Sequence, residues 1–302
     1  YYGIPYPGQK LDMVAVPDFA FGAMENLGCI TYREVLLLVD RDRSTEPELL
    51  RVADVIAHEI AHMWFGDLVT MEWWNGIWLN EAFATFMATM ASDNFNRDWG
   101  RWNQFSLERS MAFDVDSLKS TRPIEIEVNS PVDAEGMFDL LTYEKGGSVL
   151  RMLEQFLGEE EFRDGISYYL NKHKYGNTET NDLWDAIEHV TNEPARRIMD
   201  SWIFQRGYPL VSASVSEDGS TIHLEQDRFL YTHDEVTDAT VWSVPVVLKV
   251  GSSSGVSEIR YLREERSSDV KLDSPADWVV VNAGGSGFFR ARYTKGMLKS
   301  VS

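Results

Sequence analysis

The sequence predicts an α+β chain, with a mostly helical domain over residues 1–208 followed by a small β-sandwich over residues 209–302. Three observations point there. Residues 46 to about 205 read as mostly helical. From about 210 onward the apolar residues recur at every second position. Gly207-Tyr208-Pro209 falls between the two regimes.

Residues 1 to about 45 carry short apolar runs broken by Pro and Gly, which read as strands and loops. The densest run, Val35-Leu36-Leu37-Leu38-Val39, reads as a buried strand. The first long helix starts well: Thr45 can cap it, Glu48 completes a capping box, and Pro47 suits the first turn. Leu49, Val52, Val55, Ile56 and Ile60 supply an apolar stripe, and Gly66 is a natural stop after about twenty residues. Asn75-Gly76 then signals a turn, and a second helix begins near Leu79. Ala82, Ala84, Ala88 and Ala91 keep that helix slim enough to lie close to the first. In the last third, Val211, Ala213 and Val215 alternate with serines, and Asp218-Gly219 turns the chain toward Ile222 and Leu224. Pro245 suits an edge strand or a strand start. There are no internal repeats and no low-complexity tract.

The 302 residues are 44% hydrophobic and 25% charged, the balance of a globular protein. No apolar stretch approaches membrane-spanning length, so no membrane partner is expected in this segment. A net charge of -20, from 28 basic and 48 acidic residues, argues against nucleic acid and anionic membranes. Most of that charge reads as an ordinary solubilising surface. Cys29 is the only cysteine, which excludes an intrachain disulfide and suits the cytoplasm. The opening Tyr1-Tyr2-Gly3, without an initiator Met, reads as the start of a fragment.

The chemistry is concentrated in His58-Glu59-Ile60-Ala61-His62. Four residues apart on a helix, His58 and His62 share one face and form a ready pair of zinc ligands, with Glu59 beside them as a candidate general base. Glu81 follows His62 after an eighteen-residue gap, long enough to leave one helix and start a neighbouring one. It can complete a His/His/Glu site whose fourth position stays open, the mark of a catalytic rather than a structural zinc. Taken alone, Glu81 reads equally as a helix N-terminal carboxylate favoured by the dipole. The bland reading of the histidines is a pair on a solvated surface. His173, His189, His223 and His233 have no ligand spacing and read as structural or surface residues.

With Glu81 at that spacing and Gly22-Ala23-Met24-Glu25-Asn26 upstream, the motif resembles the gluzincin aminopeptidases of the aminopeptidase N type. Trp64-Phe65-Gly66-Asp67, Trp78-Leu79-Asn80-Glu81 and Tyr143-Glu144-Lys145-Gly146 look like the same family, most closely its tricorn-interacting factors. The likeness runs over residues 1 to about 208 and more loosely beyond. It implies a thermolysin-like zinc-metallopeptidase catalytic domain, without its first strands, and then the β-sandwich. Further N-terminal and C-terminal domains are implied in the parent chain.

The resemblance also implies one zinc ion and a peptide substrate with a free N-terminus. Water activated by the zinc would attack the first peptide bond, with Glu59 as the base. Glu25 would hold the substrate's α-ammonium group, and Tyr143 would stabilise the oxyanion. Gly22 and Ala23, lacking bulk, would let the substrate backbone run along Gly22–Asn26 as an added strand. Phe21 would line the pocket for the first side chain, or else be plain core. Two other readings are an epoxide hydrolase on the same zinc site, an activity found in one branch of the family, and a non-catalytic, zinc-stabilised peptide-binding module.

Overall fold

The computed structural model describes residues 1–40, 42–232 and 238–301. Helix and strand are mixed, with the strands concentrated toward the two ends. β1 (Asp12–Val16), β2 (Ala23–Met24) and β3 (Cys29–Arg33) form a small sheet in the order β1-β3-β2, which leaves β2 at an edge. The run after β3 is not a strand. It forms a 3₁₀ turn over Glu34–Leu36, with Val35 71% and Leu38 61% exposed and only Leu36 buried. Apolar composition does not decide burial here, because no partner strand lies beside the segment.

α1 (Glu46–His62) is set by its first turn: the Glu48 carboxylate accepts from the Thr45 backbone N–H at 2.7 Å and from its hydroxyl at 2.9 Å. The helix ends at His62 itself. Gly66 lies in the following loop at φ 134°, a conformation that other residues rarely adopt. Of the expected stripe, only Val52 is fully buried. β4 (Val69–Met71) leads into α2 (Trp78–Phe95), which is buried on nearly every side from Trp78 to Thr89. Ala91 is exposed, so it does not serve the close approach expected of it.

α3 (Arg101–Asp116) and the short α4 (Pro131–Glu135) precede a π-helical turn at Leu141–Lys145, which runs directly into α5 (Gly146–Leu157). This turn uses the small surface of α2. A Cβ built on Gly146 would lie 2.6 Å from the Ala82 Cβ, and one on Gly147 would lie 3.3 Å from the Thr85 Cγ2. Neither Ala82 nor a helical backbone can swing aside, so Gly146→Ala is expected to destabilise the protein by about 1–3 kcal/mol, the cost of an overpacked core. A lower urea midpoint at unchanged slope checks it. α6 (Glu159–His173), β5 (Gly176–Thr178, parallel to β4), α7 (Thr180–Thr191) and α8 (Ala195–Ile203) complete the helical part.

Seven strands follow: β6 (Pro209–Val215), β7 (Thr221–Arg228), β8 (Val244–Ser252), β9 (Gly255–Arg263), β10 (Ser267–Lys271), β11 (Ala276–Val281) and β12 (Arg290–Tyr293). They make two sheets, β10-β7-β6-β12 and β11-β8-β9, and α9 (Lys295–Val301) follows. Period two is visible in β7, where Ile222, Leu224 and Gln226 are buried and the residues between them are exposed. Pro245 sits on the central strand of its sheet, but at its start, beyond the reach of β11, which pairs only with Leu248–Ser252. A strand start without a neighbour on that side asks for no N–H from proline. One apolar core continues from Phe83 and Trp184 through Trp202 to Trp242, Val246 and Phe288.

Candidate active site

α1 and α2 together position the candidate ligands. Their packing brings His58 and His62, from the last turns of α1, against Glu81 in the first turn of α2. His58 Nε2 lies 3.1 Å from His62 Nε2 and 3.3 Å from Glu81 Oε2, and His62 Nε2 lies 3.4 Å from that same oxygen. Among the described residues this is the only cluster of three or more His, Cys, Asp or Glu donors. The fit to a metal ion can be tested on these distances. Bonds of about 2.0–2.1 Å at tetrahedral angles place ligand atoms about 3.4 Å apart. The orientation also fits: the His62 Nδ1–H donates to the Phe65 carbonyl at 2.9 Å, which turns Nε2 toward the cluster.

The surroundings favour positive charge at this point. Burial opposes charge on His62, but the Glu81 carboxylate, with Glu25 and Glu59, outweighs it and lifts the imidazole to about 9. Burial works against ionised Glu81 too, yet hydrogen bonds to His58 and His62 hold it well below the usual carboxylate range. His58 is lowered, by burial first and the neighbouring His62 charge. Its side chain keeps 18% exposure against 1% for His62, so the cluster opens on the His58 side.

Glu59 is 6% exposed, and its Oε2 is buried without a hydrogen-bond partner. Burial pushes its carboxyl up to about 8, with Glu25 and Glu81 adding to the shift and His62 opposing it. A cation beside it pulls the other way. Tyr143, in the π-helical turn, lies near-parallel to His58 with ring centres 6.0 Å apart and close to the Glu81 carboxylate. Burial and that carboxylate raise the phenol far above its ordinary range, so it stays a proton donor.

The Gly22–Asn26 segment borders the same site. Glu25 lies near enough to bear on the charge of His58, Glu59, His62 and Tyr143. Ala23 and Met24 are β2, the sheet edge, held to β3 by the bond from Arg33 N–H to the Gly22 carbonyl at 2.9 Å. Asn26 closes the turn into β3, accepting from Cys29 N–H. Phe21 is 74% exposed, which removes its reading as plain core.

Of the remaining histidines, His189 packs on Tyr168, His173 on Tyr169, and His223 of β7 pairs with Asp269 of β10. His233 lies outside the described residues.

Several neighbours escaped the sequence. Phe65 acts through its backbone carbonyl, which no side-chain pattern reveals. Asp67 is a further carboxylate near the cluster, raised to about 6 by burial and Glu25 against the opposing pull of His62. Behind Tyr143, Arg101 joins Asp54 of α1 at 2.7 Å to Glu108 of α3 at 2.9 Å. Burial, with Glu108 adding, pushes Glu144 up to about 7, while Arg101 opposes and Asp54 reinforces the shift. A carboxyl with a raised folded value stabilises fully below its unfolded pKa, and that contribution is lost as pH rises through the folded one. Glu144→Gln is therefore expected to be near neutral at pH 5 and stabilising, on the order of 2 kcal/mol, at pH 8. Urea unfolding at the two pH values checks this.

No helix among the described residues is long and apolar enough to cross a membrane. The Peptidase family M1 domain matches residues 1–202. The chain is 45% identical over 294 residues to "Probable aminopeptidase 2" of Sulfurisphaera tokodaii, covering 97% of this chain and 36% of that protein. It is 41% identical over 304 residues to "Aminopeptidase M1-D" of Oryza sativa subsp. japonica, covering 97% of this chain and 34% of that protein. It is 42% identical over 304 residues to "Tricorn protease-interacting factor F2" of Thermoplasma volcanium, covering all of this chain and 37% of that protein. The chain thus spans about a third of the length of these relatives. A family match over two-thirds of the residues, with relatives above 40% identical along nearly the whole chain, leads to one conclusion: the chain belongs to peptidase family M1.

Proposed function

We propose that this chain is the catalytic part of a zinc-dependent aminopeptidase that removes the N-terminal residue from oligopeptides. The observation that carries this reading is the convergence of His58, His62 and Glu81 at tetrahedral ligand spacing, with Glu25 near enough to bear on their charge. In this reading residues 1–208 form a thermolysin-like catalytic unit, and residues 209–302 a β-sandwich that supports it. A cytosolic setting is proposed on the single cysteine, Cys29.

His58, His62 and Glu81 would hold one zinc ion. When bound, zinc supplies Lewis acidity, polarising a carbonyl and bringing the pKa of a water toward neutrality. Glu59, with a buried oxygen that no protein group occupies, takes a proton from water and returns it to the leaving amine. The Tyr143 hydroxyl donates to the oxyanion as the carbonyl becomes tetrahedral. Glu25 holds the α-ammonium group by a charge-assisted hydrogen bond, which restricts attack to the first peptide bond. The edge strand β2, with Gly22 before it, receives the substrate backbone, Asn26 closes the turn behind it, and Phe21 and Met24 flank the first side chain. The presence of Glu59 and Tyr143 beside the ligand cluster favours catalysis over a binding module.

A mass-spectrometric time course on an unblocked heptapeptide tests the reading, using the natural full-length protein. Products shortened from the N-terminus one residue at a time are expected, and internal cleavage would contradict it. Metal analysis should find one zinc per chain, and His62→Ala should lose it together with activity.

A further inference from the structure

The apolar core holds a charge pair that the chemistry above does not use. Lys145 and Asp116 are both 0% exposed, with Lys145 Nζ 2.8 Å from Asp116 Oδ2. Lys145 also donates to the Gly207 carbonyl at 3.1 Å. Asp116 Oδ1 accepts from the Gly207 N–H at 2.9 Å and from the Thr121 hydroxyl at 2.8 Å. The pair therefore ties three pieces of chain together: the end of α3, the π-helical turn, and the residue two before β6.

Stability alone does not account for such a pair. Desolvating two charges costs about what their attraction returns, and an apolar pair of similar volume is commonly as stable or more so. What a buried pair does supply is a unique geometry. Here that geometry acts on a rare element. In the π-helical turn the N–H groups of both Glu144 and Lys145 bond to the Leu140 carbonyl, each at 3.0 Å. Single π turns are uncommon and concentrate at functional sites, where they re-aim a side chain. Two residues apart on such a turn, side chains face opposite sides. Tyr143 faces His58 and Glu81, while Lys145 faces Asp116 and the Phe288 ring. The start of the turn is fixed separately. Asp139 Oδ1 accepts from the N–H groups of Leu141 and Thr142, and Arg122 bonds both Asp139 and the Thr142 hydroxyl.

We propose that the Asp116–Lys145 pair positions Tyr143 for catalysis, by clamping the far side of the π-helical turn to Gly207. The proposal rests on the reading of Tyr143 as the oxyanion donor. Lys145 and Asp116 touch no substrate in this scheme and act only through Tyr143.

The test is a double-mutant cycle in the natural full-length protein. Asp116→Leu combined with Lys145→Met replaces the pair by apolar side chains without stranding a charge. Its kcat is expected to fall about ten- to a hundredfold, as a displaced catalytic group does, with KM and bound zinc unchanged. In a Tyr143→Phe background the same pair of substitutions should have no further effect. Equal losses in both backgrounds, or an unchanged kcat in the first, would overturn the proposal. Where the double variant does not fold, Thr121→Val, which removes one donor to Asp116, is read in the same cycle, with a smaller loss confined to the Tyr143 background. An unchanged kcat for Tyr143→Phe alone would place the failure in the reading of Tyr143, and the clamp's role in catalysis would fall with it.

Discussion

Glu59→Gln is expected to lower turnover by orders of magnitude while leaving zinc in place. The amide keeps the size of the carboxylate but cannot accept a proton from water. Removing a general base costs about 10²–10⁴ in kcat. The candidate ligands His58, His62 and Glu81 are untouched, so metal stoichiometry should stay at that of the parent. Glu59 is 6% exposed, and its Oε2 has no hydrogen-bond partner, so the substitution breaks no bond to that oxygen. Thermal stability should accordingly hold or rise, because burial already works against the charged form. A variant that loses zinc or unfolds would assign Glu59 a structural role instead.

Tyr143→Phe is expected to lower kcat by about 10²–10³ with KM changed little, the signature of a donor that acts only in the transition state. The ring contact with His58 survives, since the two rings are near-parallel and Phe retains that face. What disappears is a hydroxyl whose proton burial and Glu81 hold firmly in place. A large rise in KM with kcat preserved would show instead that Tyr143 binds substrate in its ground state.

The candidate ligand cluster was legible in the sequence because most of it is local. Two histidines four apart share a helix face whatever the rest of the chain does, and only the join between α1 and α2 had to be inferred to add Glu81. The capping of α1 by Thr45 and Glu48 and the alternation in β6 and β7 are local in the same way. The Val35–Val39 run failed for the opposite reason: whether an apolar segment is buried depends on what lies beside it, and composition carries no such information. Pro245 was readable as a strand start, although not as the start of a central strand, because strand order is a property of the whole sheet. The Asp116–Lys145 pair joins residues far apart in sequence, and no local pattern announces it. Tyr143 entered the candidate site through resemblance alone, because no local pattern separates it from the other tyrosines; the structure places its ring near-parallel to that of His58.

The most direct test is the rate at which the zinc-loaded, natural full-length protein hydrolyses a leucyl aryl amide and its N-acetylated counterpart. If Glu25 anchors a free α-ammonium beside the His58/His62/Glu81 cluster, only the unblocked amide is cleaved, and Glu25→Gln weakens that preference. Comparable cleavage of both amides would contradict an aminopeptidase.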